Sequence, residues 1–165
     1  MSKKIEAQMK SAIQPCPKAI VSVTDKSGRD NALAVGYCCN CSYDPPMVMV
    51  GIVPSRFSYE MIKEAGCFVV NLPGKEGKAL FDYTGSVSGR NIDKFKEFGI
   101  QSTRASRIDA PILTDCPVNI ECVIVDSIRT GSHEMFVGRI ECVHADESVT
   151  EADGKINFPK CELSF

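Results

Sequence analysis

One segment of the chain has residue types that suit the binding of a phosphate group. Ser55, Arg56 and Ser58 lie where a buried apolar pattern gives way to a helical pattern. A helix start presents unpaired backbone N–H groups and a partial positive charge, and the planar guanidinium of arginine matches phosphate oxygens. The segment therefore indicates a monophosphate site. The alternative is a serine that only caps the helix, beside a solvated arginine.

A second candidate phosphate segment lies between residues 86 and 95. Its small residues lead into a helix and are accompanied by cations, so its backbone amides could receive a phosphate. It is not a P-loop, because the glycine spacing and the Lys-Ser/Thr pair of that motif are missing. An ordinary surface loop is the alternative. The residues concerned are Ser88, Gly89, Arg90, Asn91 and Lys94.

Two cysteines, Cys38 and Cys41, have the C-x-x-C spacing of zinc, iron–sulfur and redox sites. Structural zinc normally needs a second close pair, and the chain offers none. A redox motif would lie at a helix start, whereas this segment follows a strand pattern and precedes two prolines. We therefore predict no metal site.

The two histidines give weaker indications. His133 follows a turn, and a lone histidine is more often a surface residue than a catalytic one. His144 lies near the end of a strand pattern, and we assign it no function. No Ser/His/Asp or Cys/His motif has a recognisable local context, so nucleophilic hydrolysis has no support.

β-strand patterns dominate the elements that must position these residues. About six or seven strands with short helices between them indicate a closed, mainly antiparallel barrel, and 165 residues are expected to form one domain. The predicted helices cover residues 4–13, 57–64 and, with an interruption at 84–90, much of 73–99. The predicted strands cover residues 19–24, 31–38, 47–53, 67–72, 118–128 and 133–144, with a further one over 155–163.

Composition excludes several classes of protein. The net charge of −2 gives no basic surface for nucleic acid. The most apolar segment, residues 47–53, is far shorter than the roughly 20 residues that span a bilayer. The first 14 residues lack the apolar region and cleavage site of a signal peptide. We therefore expect a cytoplasmic protein whose nine cysteines are reduced.

Taken in order, these segments resemble the flavin reductase-like, FMN-binding split-barrel family, particularly its flavoredoxin and ferric-reductase branch. The resemblance extends from about residue 17 to residue 144, and it depends on the ordered set because each motif alone is unspecific. The motifs are Asn31-Ala32, Ser42-Tyr43-Asp44-Pro45-Pro46, Pro54-Ser55-Arg56, Phe68-Val69-Val70-Asn71, Ser88-Gly89-Arg90 with Asp93-Lys94-Phe95, Ala110-Pro111, Glu121-Cys122, and Gly131-Ser132-His133 with Gly138.

The resemblance implies a six-stranded antiparallel Greek-key split barrel that forms a homodimer, with one FMN at each end of the subunit interface. It implies that the isoalloxazine ring lies along Tyr37, Cys38, Cys39, Asn40 and Cys41. It also implies that the phosphate and ribityl chain are held by Val53, Pro54, Ser55, Arg56, Ser58, Ser88, Gly89, Arg90, Asn91 and Lys94.

Two residues are expected in catalytic positions. His133 matches a histidine that the family has near the flavin face, where nicotinamide or another acceptor stacks. Cys39 stands where many members carry the threonine of a Ser-Trp-x-Thr segment, so it would face the flavin without supplying that hydroxyl.

The activity that the resemblance implies is electron transfer from NADH or NADPH through FMN to a flavin, a ferric chelate or a redox protein. The alternative is a flavoredoxin-type carrier with no pyridine-nucleotide activity of its own. A third interpretation is a flavin- or metal-binding module without redox function. The chain has no Rossmann G-x-G-x-x-G element, so it does not indicate which nicotinamide is used.

Overall fold

The computed structural model describes residues 2–165, and a seven-stranded antiparallel sheet forms its centre. The sheet has the strand order β2-β1-β5-β8-β9-β4-β3 and curves into a split barrel. A separate two-stranded sheet pairs β6 with β7. The strands are β1 (Ala19–Thr24), β2 (Asp30–Val35), β3 (Cys38–Tyr43), β4 (Pro46–Ile52), β5 (Cys67–Leu72), β6 (Ser102–Arg104), β7 (Pro111–Leu113), β8 (Val118–Thr130) and β9 (His133–Ala145).

The barrel encloses an apolar core built from β-branched and aromatic residues. β1 is buried along its whole length because it lies between β2 and β5. Helix α1 (Phe57–Ala65) packs Tyr59, Met61 and Ile62 against the core and ends at Gly66, whose positive φ of 69° closes the helix. The start of α1 is thereby held at the edge of the barrel, directly after β4.

Two further helices flank the outside of the sheet next to β2. Helix α2 (Lys78–Ser86) and helix α3 (Lys94–Phe98) are separated by a loop at residues 87–93. Asp93 caps α3 by accepting hydrogen bonds from the backbone N–H groups of Phe95 and Lys96. The predicted interruption of the helical pattern is confirmed, and it brings the loop alongside the start of α1.

A buried polar network attaches the small sheet to the barrel. The Asn71 amide nitrogen donates to the Ile20 carbonyl at 3.0 Å and to Ser22 Oγ at 2.9 Å. Its oxygen accepts from the Leu113 backbone N–H at 3.0 Å and from Asn119 Nδ2 at 2.8 Å. Asn71 is fully buried, so each of these bonds satisfies a group that water cannot reach.

Three sequence predictions were wrong in detail. Residues 4–13 are exposed and not helical, since their apolar side chains find no surface to pack against and a helix of that length is marginal alone. Residues 155–163 form a 3₁₀ turn and an isolated bridge rather than a strand. The predicted strand over 31–38 is interrupted at Gly36 and Tyr37, and Cys38–Tyr43 pairs with β4 as β3. The mainly β, antiparallel fold is confirmed, with seven strands in the main sheet, one more than the resemblance implies.

The helices carry no indication of membrane insertion. Across residues 2–165, none of them is both long enough and apolar enough to cross a bilayer.

Candidate functional site

The two predicted phosphate segments meet in one cavity of about 120 Å³, which we call the polar cleft. The start of α1 forms one wall, the loop after α2 forms the second, and β2 forms the floor. Of the predicted residues, the cleft contains Ser55, Arg56, Ser58, Ser88, Gly89 and Lys94. Its other lining residues are Asn31, Leu33, Phe57, Gly85, Ser86 and Val87.

The first turn of α1 leaves its donors available to a ligand. Arg56 occupies the N-cap position, and no side chain caps the helix. Ser55 lies outside the helix and makes no capping bond, so the alternative explanation of this serine does not hold. Within residues 2–165 the Arg56 guanidinium has no hydrogen-bond or ion-pair partner, and it lines the cleft. Together with the helix start, it presents positive charge to the cavity.

Lys94 supplies a second cation next to β2, at the floor of the cleft. Only 2% of this residue is exposed, and its Nζ donates to the carbonyl oxygens of Ala32 and Thr84, each at 2.8 Å. An ammonium has three hydrogens, so one is left for a ligand in the cleft. Burial, reinforced by the neighbouring charge of Arg56, lowers the pKa of Lys94 to about 8. An anion in the cleft would offset both of these effects.

The back of the cleft is closed by Asn31, a residue whose role the sequence did not indicate. Asn31 Nδ2 donates to Ser58 Oγ at 2.7 Å, and both side chains are buried. Gly89 packs so closely on Asn31 that a Cβ at this position would overlap the amide. Glycine is therefore needed here for close approach rather than for a turn.

Two arginines hold the loop against the helix. Arg29 donates to the carbonyl oxygens of Gly89 and Ile92, and its guanidinium lies 4.8 Å from the centre of the Phe57 ring. Arg90 reaches across from the loop to the Ser55 carbonyl at 3.4 Å. No local sequence pattern around Arg29 indicates this contact, since Gly89 lies 60 residues away.

Four of the residues predicted for the phosphate site do not line the cleft: Val53, Pro54, Asn91, and Arg90, which contacts the Ser55 carbonyl as described above. Val53 and Pro54 are half-buried in the turn between β4 and α1, and the Val53 carbonyl accepts the Arg56 backbone N–H at 2.9 Å. Asn91 is exposed on the loop and is not among the residues that line the cleft. The first two therefore position the helix start.

A second cavity has a volume of about 650 Å³, and we call it the ring cavity because the rings of Tyr37 and His133 line it. It contains the predicted residues Tyr37, Cys38, Cys39 and His133. Further parts of its wall are formed by Met135 and by the N-terminal residues 11–14 and 16, for which no sequence pattern predicted a site. Its walls are mainly apolar, as expected for a cavity that receives a flat ring.

Tyr37 and His133 form one side of the ring cavity. Their rings meet edge to face with centres 4.9 Å apart. The Tyr37 hydroxyl lies 3.1 Å from Ser11 Oγ, and His133 Nδ1 lies 2.8 Å from Ser132 Oγ. The contact with Ser132 occupies Nδ1 of His133, so Nε2 is left to interact with a ligand.

The cysteines of β3 separate onto different surfaces. Cys38 packs against the core, and burial raises the pKa of its thiol to about 12, so it stays neutral. Cys39 is exposed at the ring cavity. Asn40 and Cys41 do not reach that cavity and instead line a surface depression with Tyr43. The C-x-x-C spacing therefore brings no pair of thiols together.

β2 links the two cavities. It begins next to Asn31, in the polar cleft, and ends directly before Gly36, in the ring cavity. A strand of six residues spans about 16 Å at roughly 3.3 Å per residue. The site thus has a polar end with cationic side chains and an apolar end, joined along one strand.

Comparison with families of known proteins gives one match over most of the chain. A sequence model of the family described as "Flavin reductase like domain" matches residues 13–158. The match includes the polar cleft and all of the ring cavity from residue 13 onwards.

Two solved structures of similar proteins carry the description flavoredoxin. The one from Desulfovibrio vulgaris (Miyazaki F) is 30% identical with a TM-score of 0.87, and the one from Methanosarcina acetivorans is 29% identical with a TM-score of 0.88. Each alignment covers 98% of this chain and 85% of the other.

A curated relative from Streptomyces pristinaespiralis is described as an NADH:riboflavin 5'-phosphate oxidoreductase. It is 28% identical over 74% of this chain and 66% of its own length. The chain spans about half, 48%, of the length of another relative, an uncharacterized protein from Aeropyrum pernix.

Proposed function

The chain belongs to the flavin reductase-like domain family, and we propose that it binds FMN and passes electrons from NADH or NADPH through the flavin to a second acceptor. The observation that carries this proposal is the polar cleft. Its cations and helix start have donors directed at one small volume, and an apolar cavity lies at the other end of the same strand. A phosphate joined to a flat ring has the matching chemistry at its two ends.

The residues of the polar cleft fit a phosphate monoester. Arg56 and the first N–H groups of α1 would bind its oxygens, Ser55 and Ser88 would add hydroxyl donors, and Lys94 would bind from below. The close packing of Gly89 on Asn31 keeps side-chain atoms out of the volume. Three sources of positive charge would thus act on one dianion.

The residues of the ring cavity would hold the flavin ring and its electron donor. Bound FMN would supply the redox chemistry, accepting hydride from the nicotinamide and delivering electrons to a flavin, a ferric chelate or a redox protein. Tyr37 and Cys39 would contact the ring, and the free Nε2 of His133 would orient the second substrate by a hydrogen bond. This chemistry needs no general base.

A homodimer in the cytoplasm is part of the proposal. Apolar side chains remain exposed on the outside of the barrel at Tyr43, Val125, Ile128 and Val143, and Tyr43 is fully exposed. A second copy would cover such side chains, and the depression beside Tyr43 lies on the same strand as Cys39. The free state of all nine cysteines fits a reducing compartment.

The test is a spectroscopic and kinetic one. The purified protein, reconstituted with FMN and freed of excess, should retain about one flavin per chain. Mixing with NADH or NADPH in an anaerobic stopped-flow instrument should then bleach the flavin band. Failure to retain FMN would contradict the proposal as a whole.

A second candidate function is supported by the likeness to the two flavoredoxins. In that case the protein carries electrons between redox proteins and does not oxidise NADH or NADPH itself. A flavin that is retained and reduced by dithionite or a protein donor, but not by either nicotinamide, would identify the carrier.

A further inference from the structure

A cluster of three metal-ligating side chains lies on the outside of the barrel, away from both cavities. Within residues 2–165, Glu121, Cys142 and His144 are the one group of three such residues whose ligand atoms all lie within 4.8 Å of one another. Glu121 is on β8, and the other two are on β9, where Cys142 is the direct partner of Glu121 in the sheet. None of them lines the polar cleft or the ring cavity.

The strand geometry explains why these side chains converge. Cys142 and His144 are two residues apart on one strand and therefore point to the same side of the sheet. Glu121 lies opposite Cys142 and close to His144, with His144 Nε2 at 2.5 Å from Glu121 Oε1. The rigid pairing of β8 with β9 thus fixes the relative positions of a sulfur, a nitrogen and an oxygen ligand.

The carboxylate is oriented by the backbone of a neighbouring loop. Glu121 Oε1 accepts from the Ser106 backbone N–H at 2.7 Å, and Oε2 accepts from the Arg107 backbone N–H at 2.7 Å. Burial alone would raise the pKa of Glu121, but the hydrogen bonds from His144, Ser106 and Arg107 lower it to about 2. Ligating carboxylates in metal sites are held by hydrogen bonds of this kind.

We propose that Glu121, Cys142 and His144 bind a zinc ion, with water in the fourth position. Thiolate, imidazole and carboxylate are the ligands that zinc takes, at about 2.0–2.3 Å, which corresponds to roughly 3.3–3.8 Å between ligands in a tetrahedron. The Glu121–His144 contact of 2.5 Å must therefore open by about 1 Å, and the remaining ligand spacings are no longer than 4.8 Å.

Metal binding would exchange protons for the ion. His144 Nε2 donates its hydrogen to Glu121, so this proton must move to Nδ1 through solvent before zinc can take the Nε2 lone pair. Zinc would also replace the thiol proton of Cys142, which is released to solvent. Glu121 is already ionised and would keep its two backbone hydrogen bonds. The site is reachable, because the His144 side chain is 35% exposed. The ion would cross-link β8 and β9, and the hydrogen bonds to Glu121 would connect this site to the loop at residues 105–109.

The experiment titrates the chelator-treated full-length protein with Co²⁺ and then with Zn²⁺. One equivalent of Co²⁺ should give a thiolate-to-cobalt charge-transfer band in the difference spectrum, and Zn²⁺ should abolish it. Cys142→Ser and His144→Gln should each weaken binding by at least about 100-fold. Zinc should raise the melting temperature of the unmodified protein but not that of these two variants.

Matched variants control for the other cysteines and acids. Cys67→Ser removes a half-buried thiol on β5, and Glu141→Gln removes the carboxylate next to Cys142 that pairs with Arg139 instead. Both should bind Co²⁺ as the unmodified protein does. Circular dichroism of each variant establishes that it is folded. A charge-transfer band that survives Cys142→Ser, or the absence of binding in the unmodified protein, would overturn the proposal, whatever the result of the FMN test.

Discussion

Asn31 donates a hydrogen bond to Ser58 across the back of the polar cleft, with 2.7 Å between Nδ2 and Oγ. Asn31 is at the start of β2 and Ser58 is in the first turn of α1, so this bond connects the floor of the cleft to its helical wall. The oxygen end of the same amide meets Gly89 on the opposite loop. The Asn31 side chain therefore sets the separation between the floor of the cleft, its helical wall and its loop wall.

Replacing Gly89 with alanine should open the cleft. The added methyl group overlaps the Asn31 amide, so either the loop or the asparagine must move, at a cost of about 1–3 kcal/mol. We expect a higher Kd for FMN, measured by fluorescence titration. The affinity for riboflavin, which lacks the phosphate, is the control and should change little. Equal losses for both ligands would place the effect outside the phosphate site.

Replacing Arg56 with alanine should weaken FMN binding by about 1–3 kcal/mol, a roughly 5- to 150-fold higher Kd, because a charge-assisted hydrogen bond to the phosphate is lost. Lys96→Ala is the matched control, since it removes a cation whose side chain is 86% exposed on α3. An unchanged FMN titration for Arg56→Ala would remove this residue from the site.

The affinity for FMN should fall as the pH rises through about 8. Burial and Arg56 lower the pKa of Lys94 from 10.5 to about 8, so the free protein loses this cation above that pH. A bound dianion favours the protonated lysine, so binding above pH 8 takes up a proton. The affinity for FMN there should fall by up to about tenfold per pH unit. Titrations from pH 6.5 to 9.5 measure the effect. Lys94→Met should bind weakly with no step near pH 8.

Replacing His133 with alanine should slow flavin reduction by the nicotinamide about five- to tenfold, the scale of one lost hydrogen bond. The Kd for FMN should change little, because His133 borders the ring cavity and not the polar cleft. Stopped-flow reduction rates and FMN titrations separate the two quantities. His133→Gln, which keeps a polar side chain, should recover part of the rate. A loss confined to FMN affinity would contradict the assignment.

Replacing Asn71 with leucine should lower the free energy of unfolding by about 2–4 kcal/mol. The substitution leaves the buried Leu113 N–H and the Asn119 amide without their acceptor. Urea unfolding followed by circular dichroism measures the change. Gln101→Leu, at an exposed amide, should have a much smaller effect. Similar values for the two variants would show that the network contributes little.

The strands of the barrel core could be predicted because their residues carry the information locally. β1 and β5 are rich in apolar and β-branched residues, with the polar residues Ser22 and Asn71 among them, and such segments occur in buried strands whatever their partners are. β3 could not be predicted in this way. Its sequence, CCNCSY, has no alternation and little β-propensity, and it is a strand because β4 offers it an edge to pair with.

The polar cleft was predictable in part, because some of its residues form a local sequence pattern. Ser55 and Arg56 precede a helix, and that local pattern alone indicates anion binding. The contribution of Arg29 depends on a contact with a loop some 60 residues away, and the pairing of Glu121 with His144 depends on strand register. Such contacts form only when the chain is folded, so no local pattern of residue types predicts them.

Arg29 holds the loop at residues 87–93 in place without the help of a ligand. It donates to the Ile92 carbonyl at 3.0 Å and lies against the ring of Phe57. An anion that enters the cleft would therefore meet donors already in their binding geometry. The entropy of ordering a loop would not be subtracted from the binding free energy. The affinity of this preorganised cleft would come from contacts with the anion and not from a closing motion.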